Sequence, residues 1–425
     1  MPAINVIPTS KLNLENNSRR WLIFWISSSL FFLSQFYRVS NAVIAPLLIQ
    51  DLSLDTKSIG LISASFFYAF AVTQVPISLL LDKVGARKMM TALSLVGVIG
   101  AVVFSLADGL TVGVLGRALL GVGMACNLMG PYKLLTAWFS PRIFATLAGI
   151  LVALGSIGNM IATTPLVILV DQVGWRSGFQ LIAFIHLILA FLFFIIVHDH
   201  PRPSTEFSAP AGNNMTTDQA MRNLKALFKL KDFWIISLGT FGRYGIYAAF
   251  QALWAGPYLM DVMGLSALTT GNLILLLNLG MILGSPIWGV LSDRLFKTRK
   301  WVIVAGSIGI VLTIVIMAII PTDMPLLALT LLFFGFGFFN ATGPLMYPQI
   351  KDLMPMEMAG AAMTGINFFT MIGPALFLQG LGTLMQGLYP DASRGPEAFH
   401  AAFVVCISCL TLITILYCFT NERRQ

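Results

Sequence analysis

Twelve stretches of the chain, each apolar over roughly 20 residues or more, dominate the sequence and leave few folds open. They lie near residues 21–48, 57–80, 89–107, 111–138, 143–170, 177–197, 233–260, 266–290, 301–320, 325–350, 358–387 and 398–420. About 20 apolar residues in a helix cross a hydrocarbon core about 30 Å thick. Lipid offers no partner to a backbone N–H or C=O, so a spanning segment must bond within itself, as a helix does. Hydrophobic residues fill 57% of the 425 positions and charged residues 10%, which leaves too much apolar surface for a soluble domain of this length. The pattern predicts an all-α integral membrane protein with twelve transmembrane helices.

The net charge of +8 raises the possibility of a nucleic-acid partner, but the distribution of the 26 basic residues argues for topology instead. With both termini on the cytoplasmic side, the inner loops and tails carry 19 of them, while the outer loops carry only Lys57, Arg176 and Arg394. That is the positive-inside asymmetry. The first stretch follows Arg19 and Arg20, runs for nearly 30 residues and lacks a small-residue cleavage site, so it reads as a retained helix rather than a signal peptide. Cys126, Cys406, Cys409 and Cys418 all fall within the spans and show no metal-type or disulfide spacing. No metal or cofactor is expected.

The longest polar stretch, His198 to Asp232, contains Pro201, Pro203, Pro210 and Gly212 and separates six spans from six. It divides the chain into a bundle over 1–197, a cytoplasmic linker over 198–232 and a second bundle over 233–425. Within the linker, Asp218–Leu230 places Met221, Leu224, Leu227 and Phe228 at helical spacing against Arg222, Lys225 and Lys229, as an amphipathic helix on a membrane surface would. The halves repeat each other. Asn127-Leu-Met-Gly130-Pro131 returns as Asn340-Ala-Thr-Gly343-Pro344. The loop Asp82-Lys83-Val-Gly85-Ala-Arg87-Lys88 returns as Asp293-Arg294 followed by Arg299-Lys300, and intramembrane Arg38 is paired with Arg243.

With Gly289, Asp293 and Arg294 in the loop after the eighth span, Arg117-x-x-x-Gly121-x-Gly123 in the fourth, and Gly174-Trp175-Arg176 before the sixth, the whole chain resembles the major facilitator superfamily. The resemblance implies two pseudo-symmetric six-helix bundles that rock about a central solute site. It also implies that Asp82, Lys83, Arg87, Arg117, Asp293 and Arg294 act in gating or in stabilising one conformation. The first copy departs mildly from the family loop, with Ser78 where glycine is usual.

Charges at membrane depth say most about function, because each costs at least roughly 2.5 to 3.5 kcal/mol to insert. Arg38, Arg117, Lys133 and Arg243 lie within the spans, with His186 as a further titratable ring, whereas the 18 acids fall in loops, tails or span ends. Cations without fixed acidic partners call for a mobile anion, and the planar fork of arginine suits a carboxylate or phosphate. Arg243 lies about 15 Å into its span at 1.5 Å per residue. Tyr247, Gln251 and Trp254 recur on its face, and Gln35, Arg38 and Asn41 share a face of the first span. Lys133 either lines the cavity or snorkels toward the inner surface past Trp138, and Arg38 and Arg243 have the alternative of pairing with backbone carbonyls.

The segment Tyr37-Arg38-Val-Ser-Asn-Ala-Val-Ile-Ala-Pro46 is similar to the organophosphate:phosphate antiporter branch, whose arginine eight residues before a proline contacts phosphate; Arg243-Tyr244-Gly245-Ile246 is similar to that branch's second arginine motif. The expected function is secondary transport of a small organic anion, phosphorylated or carboxylated, across an inner membrane by a monomer. The rivals are a proton-coupled amino-acid or dipeptide transporter and, from another class, a membrane solute sensor. No phosphate-binding Gly-x-x-x-x-Gly-Lys-Ser/Thr loop is present, which argues against an ATP-driven pump.

Overall fold

The computed structural model describes residues 9–200, 227–354 and 356–422; for residues 9–17 and a few helical positions, Asp82 among them, it describes the backbone alone. Most of the expected amphipathic linker helix, Arg222 and Lys225 included, lies outside the described residues, as does the side chain of Asp82.

Regular structure among the described residues is helical. α1 comprises Thr9–Val39 and, beyond Ser40, Asn41–Asp51. α2 is Thr56–Val84, α3 Ala86–Ser105, α4 Leu110–Met124 continuing as Met129–Trp138, α5 Pro141–Ile161 and α6 Thr164–Ile196. α7 is Lys231–Ala249, prolonged through π turns at Phe250–Trp254 and Tyr258–Val262. α8 is Ala267–Val290, α9 Lys300–Ile319, α10 Leu326–Asn340 continuing as Met346–Leu353, α11 Met356–Leu388 and α12 Pro396–Tyr417. Among the described residues, ten of the twelve are long and apolar enough to cross a membrane; the other two, α2 and α7, carry polar residues that meet the opposite half.

The two halves are packed alike. In the first, α1 lies on α5 and α6, α2 on α4, and α3 on α4 and α6; in the second, α7 lies on α11 and α12, α8 on α10, and α9 on α10 and α12. Small residues allow the closest approaches. A Cβ on Gly158 of α5 would overlap the Phe32 carbonyl of α1, and one on Gly373 of α11 would overlap the Phe241 carbonyl of α7. That match sets Phe32 opposite Phe241 in the repeat. Arg38 then corresponds to Tyr247, and Arg243 to Ser34, so the two arginines paired by sequence offset are not structural equivalents.

Both Asn-x-x-Gly-Pro copies fall at helix breaks, between the two segments of α4 and of α10. The reason is local: Pro131 and Pro344 have no N–H to give the carbonyls of Asn127 and Asn340 four residues back.

Loop chemistry repeats as well. On the face where α1 begins and α12 ends, hereafter the terminal face, Asp199 beyond α6 accepts the backbone N–H of Arg87 at the start of α3, at 2.9 Å. Glu422 beyond α12 accepts the N–H groups of Arg299 and Lys300 at the start of α9, at 2.7 and 3.1 Å, and the Thr298 hydroxyl. A carboxylate there satisfies N–H groups that the first helical turn leaves open and meets the positive end of the helix. Gly85 holds φ +87°, which admits the turn from α2 into α3. On the opposite, distal face, Asp51 at the end of α1 pairs with Arg176, and Asp261 at the end of α7 pairs with Arg394. The Trp175 indole N–H, followed by Arg176, holds the Asp51 carboxyl below the usual carboxylate range. Replacing Glu422 by alanine is expected to cost about 1–2 kcal/mol through the lost cap, read as a lower melting temperature in detergent; an unchanged melt would mean that the cap contributes nothing.

Candidate functional site

The two bundles meet along α1 with α7, α2 with α11, and α5 and α6 with α8. Near the distal face the seam is shut. Thr56 and Ser393 hydroxyls bond at 2.6 Å, the Gln386 side chain accepts the Thr56 N–H at 3.3 Å, and Thr164 donates to Asn272 at 2.7 Å. Deeper in, Tyr68 of α2 donates to Gln379 of α11 at 3.0 Å, and Asn367 of α11 donates to Gln74 of α2 at 2.9 Å. None of the ion pairs among the described residues crosses from one bundle to the other.

Arg38 lies in this seam. It ends the first segment of α1, is 8% exposed, and sets its guanidinium over the rings of Phe70 and Phe67 of α2, at 5.1 and 5.9 Å from their centroids. Its Nη1 donates across the seam to the Tyr244 hydroxyl of α7 at 3.1 Å, while its Nε is buried without a partner. It has no carboxylate partner among the described residues. Next in the seam, the Tyr347 hydroxyl of α10 bonds to Asn367 and Thr370 of α11, and Asn367 carries that network on to Gln74.

The other expected binding residues take several places. Gln35 has a buried amide oxygen without a partner, and Asn41, fully buried, donates to Ser63 of α2 at 2.9 Å. Tyr247 stacks on Phe336 of α10 inside the second bundle. Gln251 bonds to Asn278 of α8 in the same bundle. Trp254, 2% exposed, lies against Gly60 of α2 and Gly382 of α11 near the distal face. Lys133 donates to the Leu81 carbonyl at 2.7 Å, at the terminal end of α2.

Arg117 and Arg243 perform matching tasks within their bundles. Arg117 of α4 donates to the Tyr37 carbonyl at 2.7 Å, which the Ser40 hydroxyl also reaches at 3.1 Å, at the interruption of α1. Arg243 of α7 donates to the Phe339 carbonyl at 3.2 Å, which the Thr342 hydroxyl also reaches at 3.0 Å, at the interruption of α10. At each break an arginine from another helix adds a hydrogen bond to a carbonyl of the interrupted helix; the Phe339 carbonyl also accepts the Thr342 N–H at 3.3 Å.

Of the expected gating residues, Arg87 donates through Nε to the Phe194 carbonyl and lies over that ring. Lys83 and Arg294 are exposed, and Asp293 lies 3.7 Å from Arg299, which also pairs with Asp352. These contacts stay within one bundle.

Charge alone does not mark the seam residues Tyr68, Gln74, Tyr244, Tyr347, Asn367, Thr370 and Gln379 in the sequence. The signal that could have found them is the cost of polar side chains inside α2 and α11, which charge counting ignores.

A family model of the Major Facilitator Superfamily matches residues 24–378. A transporter of Cupriavidus necator named for sulfoacetate is 24% identical over 376 residues, covering 84% of this chain and 86% of its own. A transporter of Escherichia coli named for galactarate and D-glucarate is 25% identical over 407 residues, covering 88% and 89%. A hexuronate transporter of Bacillus subtilis is 25% identical over 350 residues, covering 80% and 82%. Among solved structures, a bacterial homologue of the human lysosomal transporter Spinster, inward-facing and unoccupied, superposes with a TM-score of 0.77 at 16% identity, covering 94% and 96%.

Proposed function

The chain belongs to the major facilitator superfamily, and on that premise we propose that it is a secondary transporter of a small organic anion, held at the seam between its bundles by Arg38. One observation carries this reading: a nearly buried guanidinium stands between the two halves with a free N–H and, among the described residues, a single neutral acceptor and no acid. A carboxylate or sulfonate that took up the fork would replace a neutral hydrogen bond with charge-assisted ones, which are roughly twice as strong. The Tyr244 hydroxyl, then released, is free to donate to the same anion. Sulfoacetate, aldarates and hexuronates, named for the relatives, are all anions of this kind and support a carboxylate or sulfonate over a phosphate ester.

The anion would draw α1 and α7 together at mid-depth, so its affinity differs between the two rocking states, and that difference is what transport requires. The closed distal seam corresponds to a state reached from the terminal face, which the positive-inside rule makes cytoplasmic. In this reading the gating residues Lys83, Arg87, Asp293 and Arg294 act on the terminal face when it closes.

The test is thermal stability of the purified protein against hexuronates, aldarates, sulfoacetate, phosphate esters, amino acids, dipeptides and organic cations. The reading expects stabilisation by organic acids alone. Stabilisation by dipeptides or amino acids would favour the zwitterion rival, and stabilisation by cations would end the anion reading. An anion that binds but is not moved into proteoliposomes would point to a solute sensor.

A further inference from the structure

Arg243 is less well accounted for than the other buried arginines. Arg117 lies between the rings of Phe66 and Phe104, at 5.0 and 5.8 Å, and Arg38 over Phe67 and Phe70. Arg243 is 1% exposed, has no ring beneath it among the described residues, and uses one nitrogen, Nη2, for both the Phe339 carbonyl and the Thr342 hydroxyl. Its Nε and Nη1 are buried without partners.

Among the described residues, its surroundings supply no negative charge. One turn before it, Gly239 packs on the ring of Tyr417 from α12, whose hydroxyl donates to Gln349 of α10 at 2.6 Å. Thr240 and Tyr247, its neighbours in α7, are neutral. The acids at the terminal ends of these helices are engaged elsewhere: Asp232 with Asn421, Glu422 with the start of α9. Arginine keeps its proton in proteins, so the core between α7, α10 and α12 holds a positive charge with no acidic partner among the described residues, a state that burial penalises. Water can fill the N–H donors of these two nitrogens, but it brings no charge.

We infer that the second bundle carries its own small inorganic anion, of halide size, on Nε and Nη1 of Arg243. A monatomic ion needs only those N–H donors, whereas an organic acid of the kind the seam would take also needs room for its carbon body. The ion belongs to the bundle, moves with it, and fixes the guanidinium that covers the break in α10. It is thus distinct from a transported solute at Arg38.

The experiment is a melt of the full chain in detergent, in sodium HEPES against chloride and bromide at constant ionic strength, with Arg243→Gln and Arg38→Gln beside the wild type. Wild type and Arg38→Gln are expected to show a saturable rise of several degrees with halide, and Arg243→Gln none. Absence of a halide effect in the wild type, or its survival in Arg243→Gln, overturns the inference. Loss of the effect in Arg38→Gln does so too, since the halide would then occupy the seam. Should Arg243→Gln fail to fold, anomalous scattering from bromide-soaked wild-type crystals decides: a peak beside Arg243 supports the site, and none there refutes it.

Discussion

Arg38→Ala is expected to abolish accumulation of the organic anion in proteoliposomes, and Arg38→Lys to lower it at least about tenfold, while both variants melt no lower than the wild type without solute. Hydrogen bonds to charged groups contribute about 1.5–3 kcal/mol each. Loss of two of them from a fork therefore weakens binding on the order of a hundredfold or more. Lysine keeps the charge but not the planar pair of donors. Stability is expected to hold because Arg38 rests on two rings and a single tyrosine hydroxyl, and removal of an unpaired buried cation relieves a desolvation cost. Arg243→Ala should behave differently, melting lower because it removes the two hydrogen bonds that tie α7 to the Phe339 carbonyl and the Thr342 hydroxyl at the break in α10. Transport within about twofold of wild type in Arg38→Ala would remove this residue from the solute site.

The contrast between the two arginines shows where sequence reasoning reaches its limit. Twelve helices, two halves and the break-forming Gly-Pro pairs follow from apolar length, charge bias and the missing N–H of proline, which are local properties of the chain. Which face of a helix meets the other bundle is not local. Tyr247, Gln251 and Trp254 share a face with Arg243 only while the helix is regular. The π turn at Phe250–Trp254 adds a residue to the turn and rotates the helix beyond it. Gln251 accordingly meets α8 and Trp254 meets α2 and α11, whereas Tyr247, which precedes the π turn, stays on the side of Arg243 and meets α10 with it. Arg38 needed no such register, since it stands before the interruption of α1. Its partner Tyr244, next in sequence to Arg243, was concealed by the more conspicuous charge.

That irregular stretch of α7 also frames the other large expected effect. Gly256, between the two π turns, faces α1 so closely that a Cβ would overlap the Ala42 carbonyl of the opposite bundle. Nearby, Cβ atoms added to Gly60 and Gly382 would come within 2.7 and 2.6 Å of the Leu378 and Thr56 carbonyls, so α2 and α11 also meet backbone to backbone. Backbone atoms cannot yield as a flexible side chain can, and packed interfaces switch between discrete arrangements rather than deform. Gly256→Val should therefore keep the distal seam from closing while leaving each bundle folded. Transport is expected to fall more than about tenfold with little change in melting temperature. The seam itself can be read by cysteines at Thr56 and Ser393, whose hydroxyls are 2.6 Å apart: oxidative cross-linking should be efficient in the Thr56→Cys, Ser393→Cys protein and should drop sharply when Gly256→Val is added. Gly380→Ala, where a Cβ meets nothing within 4 Å, is the matched control and should leave both readouts unchanged. If Gly256→Val cross-links and transports like its parent, the distal seam does not depend on this contact, and closure is governed by α2 with α11 and α6 with α8.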